Sequence, residues 1–363
     1  FPALKVSRMQ FVQVTLLFLV TLLAGLFLAT RVAVLIIEHR HPPVGEFATV
    51  NGTKLHFVYD RAGPDADLPP VVFLHGASGN LVDQMLPFRD KLSGRADLLF
   101  VDRPGHGWSE RGPETNAWPD GQADTVAALM DELGIDEAIV VGHSFGGAIA
   151  VSFALNHPDR AAGMLLLAPV SHPWPGGVDW YYELTPKPVI GHLFSETLVL
   201  PFGLMRLKPG TDAVFSPNEP PEDYVRRTGV ALVLRPFHFR ANAADVDNLY
   251  DYVTRTAPRY TEIATPSVVI TGDSDTIVLP RVHSLGLQRD LQDVELLWVK
   301  NLGHKPDYVA TDLAVAALEK LSGKPRDLQA MAHGLEERIA GDRNGPVERS
   351  LGHVEAEPAS SDT

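Results

Sequence analysis

The chain has 363 residues, 45% of them hydrophobic, so it is long enough to bury a full α/β core and an additional inserted element. Its 31 basic and 45 acidic residues give a net charge of −14, which argues against nucleic acid as a partner and gives no attraction to anionic lipid headgroups. Cysteine is absent, which excludes disulfides, a thiol nucleophile and a thiolate metal site but does not distinguish cytoplasm from periplasm.

The first element in chain order is a long apolar segment, residues 9–37, in which Arg31 is the only charge. As a helix rising about 1.5 Å per residue, it matches a bilayer core of about 30 Å. We therefore expect a single-pass N-terminal transmembrane anchor, with a cleaved signal peptide and a buried soluble helix as alternatives. Two basic residues before the segment nearly balance Arg31 and Arg40, so the side of the membrane stays open. A start at Met9 would remove those two charges and favour a cytoplasmic main domain.

Short hydrophobic runs separated by turn residues follow the apolar segment. Residues 47–50 and 54–59 flank Asn51-Gly52, a pattern that predicts an antiparallel hairpin at a sheet edge. Further apolar runs typical of buried strands occupy residues 71–74, 98–101, 138–141, 164–167, 266–271 and 294–299.

The loop after the run at 71–74 and the one after 98–101 are both rich in glycine. In the first, Gly76 allows a tight backbone turn that leaves the amide of Ala77 free to donate a hydrogen bond. The second contains Asp102 and His106, which we expect to shape the loop rather than to catalyse.

The most informative motif is the Gly-His-Ser-Phe-Gly sequence at residues 142–146, where a β-branched run ends and a helix-forming run begins. A serine nucleophile needs a sharp turn that exposes its hydroxyl, and flanking glycines remove Cβ atoms that would clash. A helix starting there also points the positive end of its dipole at a developing oxyanion. We predict that Ser144 is a nucleophile and that the amides of Ala77 and Phe145 form an oxyanion hole.

A serine hydroxyl needs a base to take its proton and an acid to orient that base. Both are present further along the chain, each after a predicted strand. We prefer Asp275 to Asp273 as the acid, since Asp275 precedes an apolar pair and Asp273 would cap the turn through its own backbone. His304 follows the strand at 294–299 and is the predicted base.

Residues 170–261 differ from the rest in having many prolines and aromatic residues and no strand alternation. We expect helices there, including segments at 224–234 and 244–256. Residues 323–363 are rich in Gly, Pro, Ala, Glu and Arg and are expected to form a flexible tail, with a short helix at 328–339. We expect a few of the aromatic side chains to line an apolar pocket; they are Trp174, Trp180, Tyr181, Tyr182, Phe194, Phe202, Phe237 and Phe239.

These landmarks together resemble the α/β-hydrolase fold superfamily over about residues 46–322. The resemblance implies a mostly parallel, twisted sheet of eight strands with helices on both faces, formed by residues 46–169 and 262–322 and covered by a helical cap at 170–261. It also implies a triad and an oxyanion hole; its residues would be Ser144, Asp275, His304, Ala77 and Phe145.

Serine at the nucleophile position excludes those relatives of this fold that use aspartate there, such as haloalkane dehalogenases. Our leading interpretation is a membrane-anchored, carboxylesterase- or lipase-like serine hydrolase that cleaves a small apolar ester, or a related acyl bond, through an acyl-enzyme. The alternatives are a carbon–carbon bond hydrolase of the meta-cleavage type, a cofactor-free perhydrolase and a non-catalytic ligand-binding protein of the same fold. We expect no cofactor and no metal, and the oligomeric state stays open.

Overall fold

A central sheet of eight strands organises the chain, whose computed structural model describes residues 8–344. The strand order across the sheet is first, second, fourth, third, fifth, sixth, seventh and eighth. The second strand pairs antiparallel with the first and the fourth, and all other neighbours are parallel, so the mostly parallel sheet is as predicted. The strands are β1 (Glu46–Val50), β2 (Thr53–Asp60), β3 (Val71–Leu74), β4 (Leu98–Val101), β5 (Ala138–His143), β6 (Ala161–Leu167), β7 (Ser267–Gly272) and β8 (Val294–Val299).

Helices cover both faces of this sheet, and further helices lie at the N-terminus and between β6 and β7. They are α1 (Arg8–Arg40), α2 (Leu81–Leu92), α3 (Pro119–Leu133), α4 (Phe145–Asn156), α5 (Trp180–Leu184), α6 (Ile190–Thr197), α7 (Val199–Phe215), α8 (Tyr224–Thr228), α9 (Pro236–Thr256), α10 (Pro280–Asp290), α11 (Pro306–Val309), α12 (Thr311–Leu321) and α13 (Leu328–Ile339).

The predicted hairpin is present as β1 and β2, joined by a two-residue turn. Asn51 and Gly52 both have positive φ, 48° and 72°, as a tight hairpin turn with the twist of the flanking strands requires.

The sheet has an apolar layer on each of its two faces, because successive residues of a strand point to opposite faces. On β3, Val72 and Leu74 pack in the layer that contains α3 and α4. Val71 and Phe73 pack in the opposite layer, with α2 and α12. The interior strands are therefore buried on both faces, as their continuous apolar sequences indicate.

The insertion between β6 and β7 is helical and contains α5 to α9. The helix expected at 224–234 is divided, since α8 stops at Gly229, whose φ of 64° ends the helix, and a short 3₁₀ turn follows. The helix expected at 244–256 is longer than its sequence pattern indicates and begins at Pro236, a residue suited to the first helical position.

α1 is long and apolar enough to cross a membrane, and none of its most apolar stretch is buried inside the protein. Among residues 8–344, α1 packs on the other elements through one face near its C-terminal end. Thr30 and Ile37 are buried there, and α1 contacts α6 and α7 of the insertion.

The short helix expected at 328–339 within the tail is present as α13, and it packs on the core of the protein. Leu328 and Leu335 of this helix are buried in the layer that also holds α12, and Asn301 donates a hydrogen bond of 2.6 Å to the carbonyl oxygen of Ile339. Its four buried apolar side chains recur every three or four residues, which is enough to fix a short helix against a sheet. Residues 345–363 of the expected tail lie outside the described residues.

Candidate active site

Ser144 lies in the sharp turn between β5 and α4. Its backbone has φ 53° and ψ −115°, a conformation that non-glycine residues adopt only when the surrounding structure enforces it. The Ser144 amide donates to the carbonyl oxygen of Leu167 at 3.0 Å, and its own carbonyl accepts from the amide of Val170 at 3.0 Å. The end of β6 therefore holds the strained turn from both sides.

The two glycines of the motif are required by close backbone approach. A Cβ atom on Gly142 would lie 2.4 Å from the carbonyl oxygen of Gly146, and one on Gly146 would lie 2.1 Å from that of Leu74. Any side chain at either position would force the turn open.

Three side chains that the sequence places far apart meet beside this turn. His304 Nε2 lies 3.0 Å from Ser144 Oγ, and His304 Nδ1 lies 2.7 Å from Asp275 Oδ2. All three residues are buried. A carboxylate at Nδ1 fixes the tautomer with hydrogen on that nitrogen, which leaves Nε2 able to accept the serine proton.

The two candidate acids have different partners. Asp275 Oδ1 accepts hydrogen bonds from the amides of Ile277 and Val278 at 2.9 and 3.0 Å, so both of its oxygens are held while it faces the imidazole. Asp273 instead accepts from the amide of Asn301 at 2.8 Å and is exposed. This geometry favours Asp275 as the partner of His304.

The loop after β3 lies against the serine. A Cβ atom on Gly76 would lie 3.1 Å from the Cβ of Ser144, so the peptide that joins Gly76 to Ala77 passes directly beside the nucleophile candidate. Phe145 is the first residue of α4, on the other side of the same serine. Both predicted oxyanion donors are thus backbone neighbours of this site.

The carboxylate of Asp102, in the loop after β4, makes several hydrogen bonds to neighbouring segments. One carboxylate oxygen lies 2.6 Å from Nδ1 of His56 and accepts from the amide of Trp108 at 2.8 Å, and the other accepts from the amide of Leu81 at 2.7 Å. These partners fix three chain segments, in agreement with a loop-shaping role.

Arg103 is a buried cation that the sequence pattern did not single out. Its guanidinium donates to Asp245 at 2.9 Å, to Gln122 at 2.8 Å and to the carbonyl oxygen of Gly76 at 3.2 Å. It also lies over the ring of Phe145, 4.5 Å from the centroid. Burial lowers the pKa of Arg103 to about 10, although Asp245 acts in the opposite direction.

A second buried cation, Lys305, follows His304 directly. Its ammonium donates to Asp83 at 2.9 Å and to Asp307 at 2.8 Å, and Tyr224 donates to Asp83 at 2.7 Å. Burial alone would lower the pKa of Lys305, but the carboxylates of Asp307 and Asp83 raise it above its ordinary value.

Asp83, Asp307 and His143 have ligand atoms within 4.8 Å of one another, a spacing close enough for a metal site. The Lys305 ammonium already bridges both carboxylates, so it supplies the positive charge that a metal would bring. Burial lowers the pKa of His143 to about 4, and its Nε2 lies 2.8 Å from the carbonyl oxygen of His304. These contacts therefore fit a buried Lys305 side chain that stabilises the loop containing His304, which we call the histidine loop.

Asn218, in the insertion, also holds the loop that contains His304. Its Oδ1 accepts from the amide of Gly303 at 2.9 Å, and its Nδ2 donates to the carbonyl oxygen of Asn301 at 2.9 Å. Such supporting residues carry little signal in the sequence.

The aromatic residues of the insertion divide into two groups. Trp174 packs edge-on against Tyr250 and lines a cavity of about 270 Å³. The rings of Trp180, Phe194 and Phe239 form a chain of contacts near α1, with centroids 5.7 and 6.3 Å apart. Phe194 and Phe239 also pack against the buried cluster that contains Ile37 of α1.

The fold and this geometry define an α/β protein with a serine, a histidine and an aspartate at the carboxyl edge of its parallel strands. The family model described as the alpha/beta hydrolase fold matches residues 69–306. The chain therefore belongs to the α/β-hydrolase family and is a hydrolase.

Known proteins with similar sequences or structures have several activities. The dihydrolipoyllysine-residue acetyltransferase component of the acetoin cleaving system of Cupriavidus necator is 39% identical over 126 residues, which are 34% of this chain and only 32% of that protein. The 2-hydroxy-6-oxononadienedioate/2-hydroxy-6-oxononatrienedioate hydrolase of Burkholderia vietnamiensis is 27% identical over 70% of this chain and 86% of its own length. The crystal structure of MGS-M2, an α/β-hydrolase enzyme from a deep-sea metagenome library of the Medee basin, matches with a TM-score of 0.59 and 21% identity over 77% of this chain and 98% of that one.

Proposed function

We propose that the protein is a serine hydrolase that cleaves an apolar carboxylic ester. The observation that carries the proposal is the continuous hydrogen-bonded chain from Ser144 Oγ through His304 to Asp275, at distances of 3.0 and 2.7 Å. In the first step His304 takes the serine proton while Ser144 attacks the ester carbonyl, and the amides of Ala77 and Phe145 bind the oxyanion. His304 then gives the proton to the leaving alcohol. Water activated by the same imidazole releases the acid from the acyl-enzyme.

A carbon–carbon bond hydrolase is the second candidate, because the Burkholderia relative acts by its name on a dioate. A dioate carries two carboxylates, which a buried pocket has to pair with cations. Four arginines at the site and in the insertion already have carboxylate partners: Arg103 and Arg111 pair with Asp245, Arg235 with Glu38 and Arg240 with Glu196. These pairings favour an uncharged ester.

The nucleophile is tested with a fluorophosphonate probe, which reacts with activated serines. We expect the wild-type protein to be labelled and Ser144→Ala to be unlabelled. Ser274→Ala is the matched control, because Ser274 is near the acid and its hydroxyl donates to Asp273 rather than to Asp275 or His304. Equal labelling of wild type and Ser144→Ala would remove the assignment.

The substrate class is tested with p-nitrophenyl esters of increasing chain length beside a vinylogous diketone from ring cleavage. Faster turnover of the uncharged esters supports the proposal. Faster turnover of the diketone dioate would favour the second candidate, and binding of either without turnover would favour a non-catalytic protein.

We also propose that α1 anchors the protein in a membrane as a single-pass helix. Its length and its unburied apolar surface support insertion, since an apolar surface of this size is costly in water. A cleaved signal sequence is the competing interpretation. The two differ in whether the mature protein retains α1, which intact-mass measurement of membrane-extracted protein decides.

A further inference from the structure

The insertion carries an unusual concentration of exposed apolar side chains next to α1. Half of the large apolar side chains exposed outside α1, among residues 8–344, lie between residues 180 and 205. We call these seven side chains the apolar patch: Trp180, Val189, Ile190, Leu193, Phe202, Leu204 and Met205.

The helices α6 and α7, which carry most of the patch, pack directly on α1. Ile37 of α1 is buried in a cluster with Val199 and Leu200 at the start of α7, and Phe194 of α6 packs against the same cluster. Trp180 of the patch in turn contacts the ring of Phe194 at 5.7 Å between centroids.

Polar contacts reinforce this junction. Arg31 of α1 forms an ion pair with Glu196 of α6, and Glu38 accepts from Arg235 at 3.0 Å. Trp108 Nε1 donates to the carbonyl oxygen of His41 at 3.0 Å, just after α1 ends. Packing and charge together hold α1 in one orientation relative to the patch.

The position of the junction along α1 places the patch at the edge of a bilayer. A hydrocarbon core of about 30 Å needs about 20 helical residues, so a span that begins at Arg8 is complete near Leu28. The first fully buried residue of α1 is Thr30, and partial burial begins at Leu23. The insertion therefore meets α1 where the hydrocarbon ends and the headgroups begin.

The charges within this segment suit the same position. The chain as a whole has a net charge of −14, but residues 180–208 contain three basic residues and two acidic ones. Arg206 follows Met205 on α7 and is exposed, so it can reach a phosphate while the neighbouring apolar side chains enter the bilayer, whereas Lys208 pairs with Asp212 at 2.9 Å.

We propose that the apolar patch is a membrane-docking surface whose occupant is the lipid bilayer in which α1 is anchored. This inference rests on the proposed insertion of α1, but it does not depend on the hydrolase chemistry. Contact between the patch and the bilayer places the helical insertion in the headgroup region. A lipid-soluble ester then has a short path from the bilayer to the insertion that covers the candidate site.

The natural absence of cysteine allows the test to use single-cysteine variants of the full chain. Met205→Cys and Val189→Cys probe the patch, and Phe18→Cys probes the middle of α1. Met331→Cys is the matched control, because Met331 is also an exposed methionine but lies on α13, which packs against β8 of the core. Each variant carries a bimane fluorophore in phosphatidylcholine nanodiscs.

A phosphatidylcholine with a nitroxide near its headgroup should quench the probes at 189 and 205 at least about twofold more than the probe at 331, and iodide in the water should show the opposite order. A second phosphatidylcholine, with its nitroxide near the end of an acyl chain, should quench the probe at 18, which lies about 15 Å from either surface of the hydrocarbon core. Quenching at 18 by this lipid, without quenching at 189 or 205 by the headgroup nitroxide, would overturn the docking surface and keep the anchor. Absence of quenching at 18 by the acyl-chain nitroxide would overturn both. Protection from iodide without lipid quenching would assign the patch to a second copy of the chain.

Discussion

The guanidinium of Arg103 donates a hydrogen bond of 3.2 Å to the carbonyl oxygen of Gly76. Because a trans peptide is planar, a fixed Gly76 carbonyl also fixes the direction of the Ala77 N–H on the same peptide. The same guanidinium lies over the ring of Phe145, whose amide is the other proposed oxyanion donor. Arg103 is therefore in contact with both sides of the proposed oxyanion hole while remaining outside it.

We expect Arg103→Lys to lower kcat by about tenfold to a hundredfold with little change in KM, because a misaligned oxyanion donor weakens transition-state binding. Arg111→Lys is the control, since Arg111 also pairs with Asp245, at 2.6 Å, but bonds Pro104 rather than Gly76. Equal losses of kcat in both variants would show that Arg103 acts only as an ion-pair partner of Asp245 and does not position the oxyanion hole. Esterase kinetics and thermal unfolding of both variants separate the two roles.

Replacing either aspartate of the loop after β7, Asp273 or Asp275, by asparagine should have unequal effects on kcat. We expect Asp275→Asn to reduce kcat by about 10⁴-fold, because an amide at this position no longer orients the imidazole in the required tautomer. Asp273→Asn should keep most of the activity, since Asp273 bonds the backbone of Asn301. The reverse order in the same assay would assign the acid to Asp273.

A side chain at Gly303 should displace the neighbouring histidine. A Cβ atom there would lie 2.2 Å from the carbonyl oxygen of Ser216, so Gly303→Ala must shift either the histidine loop or the insertion. We expect lower thermal stability and a large loss of turnover. Gly334→Ala on α13 meets no atom within 4 Å and should leave activity intact, with stability raised by about 0.5–1 kcal/mol. Wild-type turnover in Gly303→Ala would contradict the importance of this contact.

Lowering the pH should destabilise the folded protein already at pH values where its carboxylates are still ionised. Burial lowers the pKa of both His143 and His283 to about 4 from an ordinary value of 6.5. Between pH 6.5 and pH 4 these two histidines bind more protons in the unfolded chain than in the folded protein. The stability that they contribute is therefore fully present above about pH 6.5 and is lost as the pH falls towards 4. For His143 the loss approaches about 3 kcal/mol, at about 1.4 kcal/mol per pKa unit.

Thermal unfolding of the detergent-solubilised protein at pH 7 and pH 5 measures this effect. We expect a lower Tm at pH 5, and a smaller decrease in His143→Gln than in wild type. His333→Gln is the control because His333 is exposed. Equal pH dependence in all three proteins would show that His143 does not contribute.

Local sequence was sufficient for the sheet and for the motif around Ser144. Each interior strand is a continuous apolar run, and each site residue follows a strand end, so chain order alone indicated which loops meet. The hairpin was equally clear, since Asn51-Gly52 suits only a few turn types.

The insertion and the buried charges were harder to predict for a physical reason. α7 contains Pro209 and two glycines, which local propensity counts against a helix, and packing against α1 overrides that preference. Lys305 and Asp83 are separated by 222 residues, so no spacing in the sequence indicates their ion pair. Only tertiary structure brings such partners together.

α7 connects two distant parts of the molecule as a single helix. Its first residues, Val199 and Leu200, pack on α1, and the carbonyl oxygens of Phe215 and Ser216 at its other end lie against Gly303. A displacement of α1 would therefore reach the backbone next to His304 through α7, so the proposed anchor and the candidate triad are connected by one helix.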